Sequence, residues 1–246
     1  MLKLIVSDFD GTLMPYGNTE LSENIKAHIM AAKEQGITFA VSSGRTYGEL
    51  LPYFRGIEEK LWFICCDGAY YVNGDRIFYE KQIARADLEL FFRRAGTDFS
   101  FVLHGAKKNF CVGDVPFCAD GYCAERVKKL GDVKEKIFKI TSYGGELVLP
   151  EYSGLRMHWD GGADAVAQYV NRFCDKGAAL SDLQMRLMLT KFDTACLGDG
   201  GNDIAMMKNA KYAISVGNRS KELASVCNAN FDSAEAALGE LMKGNI

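Results

Sequence analysis

Asp8 and Asp10 stand two residues apart, after the apolar run Leu4-Ile5-Val6 and just before Gly11. An unperturbed aspartate titrates at about 3.9, so both are carboxylates at neutral pH. Carboxylate and backbone oxygens are the donors that Mg²⁺ prefers. One carboxylate of such a pair is also a usable nucleophile toward phosphorus, through an acyl phosphate. The competing reading is a polar turn that closes a buried strand and does no chemistry.

A second acidic loop lies far along the chain. Gly198-Asp199-Gly200-Gly201-Asn202-Asp203 follows the apolar Thr194-Ala195-Cys196-Leu197 and precedes Ile204-Ala205-Met206-Met207. Asp199 and Asp203 are four apart, so the second projects toward the first from the opening turn of a helix. Open α/β sheets place ligands at the carboxyl ends of their strands. The two loops therefore form one site if their strands are neighbours.

The elements that must position these loops follow an alternating pattern. Leu2–Ser7 reads as a first strand, and Ser22 as the N-cap of a helix with Leu21, Ile25, Ile29 and Ala32 at helical spacing up to Gly36. Ile37–Val41 and Leu61–Cys66 read as buried strands, with a short helix at Gly48–Phe54 between them. The pattern resumes with a helix from Lys176 to about Leu189 and strands at Ala195–Leu197 and Tyr212–Val216. Unbroken apolar strands alternating with amphipathic helices predict a doubly wound parallel sheet covered on both faces. The expected core is 1–79 with 175–246. The insert, 80–174, mixes strands at Phe99–Leu103, Asn109–Val112 and Lys136–Ile140 with helices at Asp87–Ala95 and Ala124–Lys129, an α+β texture.

Composition narrows the function. The 246 residues suffice for a sizeable core, and a net charge of −3 gives no basic field for nucleic acid or an anionic membrane. No run approaches the about eighteen apolar residues of a membrane span. Met1 to Val6 runs directly into a strand without signal-peptide architecture, so the expectation is a soluble, cytoplasmic protein. The eight cysteines form no CxxC pair and have no histidine at zinc spacing, which predicts reduced structural thiols. His28, His104 and His158 are scattered, although His104 or His158 could face a substrate.

Four segments in order carry a resemblance: Asp8-Phe9-Asp10-Gly11-Thr12, Ser43-Gly44-Arg45, Lys176-Gly177-Ala178-Ala179-Leu180, and Gly198-Asp199 through Asp203. The chain resembles the haloacid dehalogenase (HAD) superfamily of phosphatases, and within it the Cof-type, class IIB branch. The resemblance covers about residues 1–75 and 174–246, and the insert matches by position and size alone. It implies a Rossmann-like HAD core with an inserted smaller α+β cap, at the small end for that class, its open sheet over the site. It also implies Mg²⁺-dependent hydrolysis of small phosphorylated metabolites such as sugar phosphates.

Under that resemblance Asp8 is the nucleophile and Asp10 the general acid and then base. Asp8, Asp199 and the backbone carbonyl of Asp10 are the metal ligands, and Asp203 orients metal waters or Lys176. Lys176 bridges Asp8 and the phosphate, unless it is only a solvated helix-start lysine. Ser43 and the amides of Phe9, Asp10 and Gly44 are phosphate donors. Asn202 is another, or else shapes its loop, and Arg45 holds the substrate's polar body or pairs with an acidic neighbour. The family commonly carries Asn-Gly-Ala where this chain has Asp67-Gly68-Ala69. That extra carboxylate would repel anionic substrate groups or pair with a cation such as Arg45. Glu146, Arg156, His158 and Trp159 are candidate specificity residues in the insert. A phosphomutase of the phosphomannomutase type and a non-catalytic phospholigand-binding protein are the alternatives. Ile204-Ala205-Met206 after the fourth segment departs from the mutase pattern. A binding protein has no need of both Asp8 and Asp10. Nothing in the sequence specifies the oligomeric state.

Overall fold

The computed structural model describes residues 1–96, 99–115, 125–143, 146–159 and 166–246. The chain divides into two compact units: Met1–Arg45, Leu50–Tyr79 and Asp175–Ile246 form the first, and Thr46–Glu49 with Glu80–Cys174 the second.

In chain order the elements are β1 (Leu4–Asp8), α1 (Glu23–Glu34), β2 (Thr38–Ser42), α2 (Tyr47–Leu50), β3 (Leu61–Cys65), β4 (Tyr70–Asn73) and β5 (Arg76–Glu80). There follow α3 (Arg85–Ala95), β6 (Ser100–Gly105), β7 (Asn109–Val112), β8 (Glu125–Arg126), β9 (Ile137–Tyr143), β10 (Leu155–Trp159) and β11 (Ala167–Asn171). The last stretch is α4 (Lys176–Arg186), β12 (Thr194–Gly198), α5 (Ile204–Met207), β13 (Tyr212–Val216), α6 (Lys221–Val226), β14 (Ala229–Phe231) and α7 (Ala234–Lys243).

The first unit is built on an eight-stranded sheet ordered β14-β13-β12-β1-β2-β3-β4-β5. The six strands from β14 to β3 run parallel, and β4 turns back antiparallel on β3. The central strands β1 and β12 are buried along their whole length. That is the signature of a sheet covered on both faces. On one face Leu4, Val6 and Cys196 pack with Ala179, Leu180 and Leu183 of α4. Each fully buried leucine or valine there contributes about 1.5–3 kcal/mol over an exposed one. Ser22 caps α1, its hydroxyl accepting from the Ile25 N–H at 3.2 Å. β3 stops at Cys65 because Cys66 and Asp67 adopt left-handed backbone, φ 50° and 54°.

The second unit carries a six-stranded sheet ordered β10-β11-β9-β6-β7-β8. The pairs from β10 to β7 are antiparallel, and β7 and β8 are parallel. Phe91 of α3 packs edge-on against Phe101 of β6 and Tyr169 of β11. The helix expected at Ala124–Lys129 does not form over its described residues. Glu125 and Arg126 pair with Phe110 and Cys111, and the Val127 N–H donates to the Cys111 carbonyl at 2.9 Å. Val127 and Leu130, both buried, gave the segment a helical spacing that a strand and a following tight turn use instead. Among the described residues no helix is long and apolar enough to cross a membrane.

Candidate active site

Three neighbouring parallel strands deliver the chemistry-bearing residues to one edge of the first sheet. Asp8 is the last residue of β1, Asp199 directly follows β12, and Ser43 directly follows β2. The register holds those ends level, with Ser7 opposite Leu197 and Asp8 opposite Ser42.

Lys176 is the first residue of α4, whose N-cap Asp175 accepts from the Ala178 N–H at 2.7 Å. A lysine at a helix N-terminus opposes the helix dipole, so carboxylates must hold it there. Its ammonium donates to Asp8 Oδ1 at 2.6 Å and to Asp203 Oδ1 at 2.7 Å. All three residues are buried, with Lys176 only 1% exposed. Asp203 and Asp8, aided by Asp67, overcome the burial that disfavours a charged Lys176 and push its pKa above the ordinary lysine value. Asp8 is raised well above the usual carboxylate range, chiefly by burial, with Asp203 and Asp199 adding to it against Lys176.

Asp203 uses its other oxygen to accept from the Asp199 and Gly200 amides at 3.2 and 3.1 Å. Carboxylate oxygens of Asp8, Asp199 and Asp203 lie within 4.8 Å of one another. Three buried carboxylates thus face one buried ammonium, and the set has hard oxygen donors with excess negative charge. That chemistry fits a divalent cation such as Mg²⁺. Burial and then Asp203 also raise Asp199.

Asp10 follows another path. Its carboxylate is gripped by Arg45, with Nη2 to Oδ1 at 2.7 Å and Nε to Oδ2 at 2.9 Å. Of the two readings left open for Arg45, this structure has the acidic pair. The Arg45 guanidinium also lies 5.3 Å from the Phe9 ring centroid and donates to the Tyr53 hydroxyl at 3.2 Å. Phe9 itself is fully buried against Tyr53 and Phe54, which leaves its backbone as the part able to meet a ligand. The Asp10 carbonyl accepts from the Tyr16 hydroxyl at 3.3 Å. Ser43, 1% exposed, accepts at its hydroxyl from the Arg45 N–H at 3.1 Å. Asn202 donates from Nδ2 to Asp67 Oδ1 at 3.2 Å.

Several contributors had no assigned role in the sequence reading. Thr12 donates to Asp199 Oδ1 at 3.3 Å, and its place inside the first acidic segment was the only signal for it. Arg219 lies 3.5 Å from Asp199 Oδ2 and stacks over Tyr16 at 4.0 Å, with no motif around it to mark it. Gly11 has φ +84°, and a Cβ there would sit 2.3 Å from Asp199 Oδ2.

The candidates in the insert belong to the second unit. Glu146 lines a cavity of about 260 Å³ with Leu147, Leu149, Met157, Tyr169 and Arg172. Arg156 donates to the Cys174 carbonyl at 2.6 Å. His158 and Trp159 lie on β10 opposite Gln168 and Ala167. His104 is buried with Nε2 2.8 Å from Thr141 Oγ1, and burial followed by Lys139 pushes its pKa well down. His28 lies on α1. Cys65, Cys66, Cys111, Cys174, Cys196 and Cys227 are in no disulfide, while Cys118 and Cys123 lie outside the described residues.

Carboxylates and a buried lysine thus meet at the carboxyl edge of a parallel sheet, a set whose charges suit a divalent cation and a phosphate. The family model described as haloacid dehalogenase-like hydrolase matches residues 5–143 and 150–238, and the chain belongs to that family. It is 22% identical over 236 residues to the 5-amino-6-(5-phospho-D-ribitylamino)uracil phosphatase YbjI of Escherichia coli K12, covering 88% of this chain and 86% of that one. It is 24% identical to the HMP-PP phosphatase of E. coli 55989, over 91% of this chain and 87% of the relative. The solved HAD subclass IIB sugar phosphatase BT4131 superposes with a TM-score of 0.82 at 16% identity, covering 99% and 100% of the two chains. At that identity the likeness speaks for the fold alone.

Proposed function

We propose that this protein is a Mg²⁺-dependent phosphatase of small phosphate monoesters, sugar phosphates or related metabolites, working through an aspartyl phosphate on Asp8. The observation that carries the reading is the buried Lys176 between Asp8 and Asp203 with Asp199 alongside. A core held together by charge alone gains little from burying three carboxylates around one ammonium, since desolvation offsets the attraction. A site that must take up a cation and a phosphate requires that imbalance. The phosphatase names of the relatives support hydrolysis.

In this reading Asp10, once Arg45 releases it, takes a proton from solvent. An Asp8 oxygen attacks phosphorus and the bond to the leaving alcohol breaks, the alcohol oxygen taking that proton from Asp10. Asp10, now a carboxylate, takes a proton from water as that water attacks phosphorus. This releases inorganic phosphate and restores Asp8. Arg45 must loosen its fork on Asp10 for the first proton to move, and an incoming phosphate offers the guanidinium another anion. Ser43, the Gly44 amide and Asn202 donate to phosphate oxygens, and Lys176 faces both Asp8 and the phosphate. Asp8, Asp199 and the Asp10 carbonyl would hold Mg²⁺, which neutralises charge on the phosphate oxygens. Asp203 has both oxygens engaged, so it orients Lys176 and the 199–200 loop.

We assign residues 80–174 as the inserted cap that selects the leaving group, and the cytoplasm as the compartment, a reading supported by six described cysteines that form no disulfide. A phosphate-ester panel assayed with and without Mg²⁺ tests the proposal. Metal-dependent release of phosphate from small monoesters is expected. Transfer to a sugar-phosphate acceptor in preference to water would point instead to a mutase. A protein that binds phosphate esters and turns none over would remove the catalytic reading.

A further inference from the structure

Asp67 is brought to the proposed phosphate seat by the turn that ends β3 and leads into the antiparallel β4. Cys66, Asp67 and Gly68 have positive φ in succession, at 50°, 54° and 89°. For two residues with a side chain this conformation is unfavourable by about 1–2 kcal/mol each. The turn is fastened on both sides. The Cys66 N–H donates to the Arg45 carbonyl at 3.0 Å, and the Asp67 N–H to the Ser43 carbonyl at 3.1 Å. A Cβ on Gly68 would stand 2.2 Å from the Asp175 carbonyl oxygen, so the turn is pressed against the cap of α4.

The carboxylate so positioned covers Gly44 and meets Asn202. Asp67 Oδ2 lies 3.2 Å from where a Gly44 Cβ would stand, and Oδ1 accepts from Asn202 Nδ2 at 3.2 Å. Asp67 is also among the carboxylates that hold Lys176 charged. It adds a negative charge beside the donors Ser43, Gly44 and Asn202, where an anion-binding seat gains nothing from one. A phosphate resting on Gly44 and Asn202 would put its next substituent close to this carboxylate.

We infer that Asp67 is a specificity-determining residue: its carboxylate, pinned between Gly44 and Asn202, favours compounds with a cationic or hydrogen-bond-donating group beside the phosphorus and rejects those with a second anion there. The inference rests on the phosphate seat proposed above.

Its test uses two phosphonates that no phosphatase hydrolyses, 2-aminoethylphosphonate and phosphonoacetate. Their affinities for the wild-type protein and Asp67→Asn are measured by calorimetry with Mg²⁺ present. Asparagine tolerates the same left-handed backbone, and Asp67→Gly keeps the turn by a second route. Wild type is expected to prefer the aminophosphonate, and both variants to lose about tenfold of that preference, the size expected for one nearby charge. An unchanged ratio in the variants overturns the inference, as does failure of wild type to bind either compound. The same protein is assayed on phosphoethanolamine and phosphoglycolate. Turnover with an unaltered affinity ratio sinks the role of Asp67 and leaves the phosphatase standing. Phosphonate discrimination without turnover does the reverse.

Discussion

Lys176 and Asp8 form a buried ion pair of 2.6 Å across 168 positions of sequence, and Asp203 completes it at 2.7 Å on the other side of the ammonium. Removing a lysine from such a cluster leaves carboxylates in a desolvated site without a counter-charge, which costs about 3–5 kcal/mol. Lys176→Met is therefore expected to lower stability by that amount in urea unfolding and to cut turnover by about 10³-fold. Lys208→Ala, at an exposed position just past α5, should change stability by less than about 0.5 kcal/mol and leave turnover intact. Equal losses in the two variants would contradict the role given to Lys176.

The raised pKa of Asp8 has a thermodynamic sign. Burial and the adjacent carboxylates make the folded protein hold a proton at pH values where the unfolded chain has released it. In that window stability falls as pH rises, because the folded state binds more protons. Asp8→Asn removes the ionisation. The metal-free variant should be more stable than wild type at neutral pH, and the gap should narrow under mildly acid conditions. It should still bind inorganic phosphate while turning nothing over. Urea unfolding at two pH values, beside a phosphate titration, checks both.

Metal uptake should follow the same carboxylates. Asp8 and Asp199 are both pushed up, and each must be deprotonated to ligate. The affinity for Mg²⁺ should therefore weaken on acidification, beginning above the ordinary aspartate range. Calorimetric titration of Mg²⁺ across pH measures this. A flat profile down to the ordinary aspartate pKa would count against Asp8 and Asp199 as ligands.

Gly11 offers a structural test of the same cation site. An alanine there would be strained at φ +84° and would drive its Cβ into Asp199 Oδ2. Gly11→Ala should weaken Mg²⁺ binding by more than tenfold, about 1.4 kcal/mol or more. The strain should also lower the urea midpoint, so the affinity is measured on protein first shown to be folded. Unchanged metal affinity would mean that the 8–11 loop and Asp199 do not share a cation.

Much of this was legible in the chain because some physical signals are local. β1, β2, β3 and β12 are unbroken apolar runs ending in a loop, which is how strands covered on both faces must read. Ser22 and Ile25 stand at capping distance in sequence and so in space. The family follows from four short segments in order. Other features have no local signature. The turn at Cys66–Gly68 depends on Asp175 and Ser43, distant in sequence. Arg219 reaches Asp199 from a loop with no motif, and Asn202 meets Asp67 only because the sheet is wound. The misplaced helix at 124–129 shows the limit of periodicity, since buried residues three apart also suit a strand followed by a turn.

Asp10 is predicted to act on the leaving group. Asp10→Asn should slow alkyl phosphates by at least about 10²-fold and aryl phosphates with good leaving groups much less, because the latter need no proton. Similar losses on both would assign Asp10 to binding instead.

The central claim, a phosphoryl group carried on Asp8, is tested most directly by chemical trapping. Borohydride reduces an aspartyl phosphate to homoserine, so enzyme quenched during turnover should yield homoserine at position 8 in its peptide map. Homoserine at another position, or full turnover by Asp8→Asn, would contradict it.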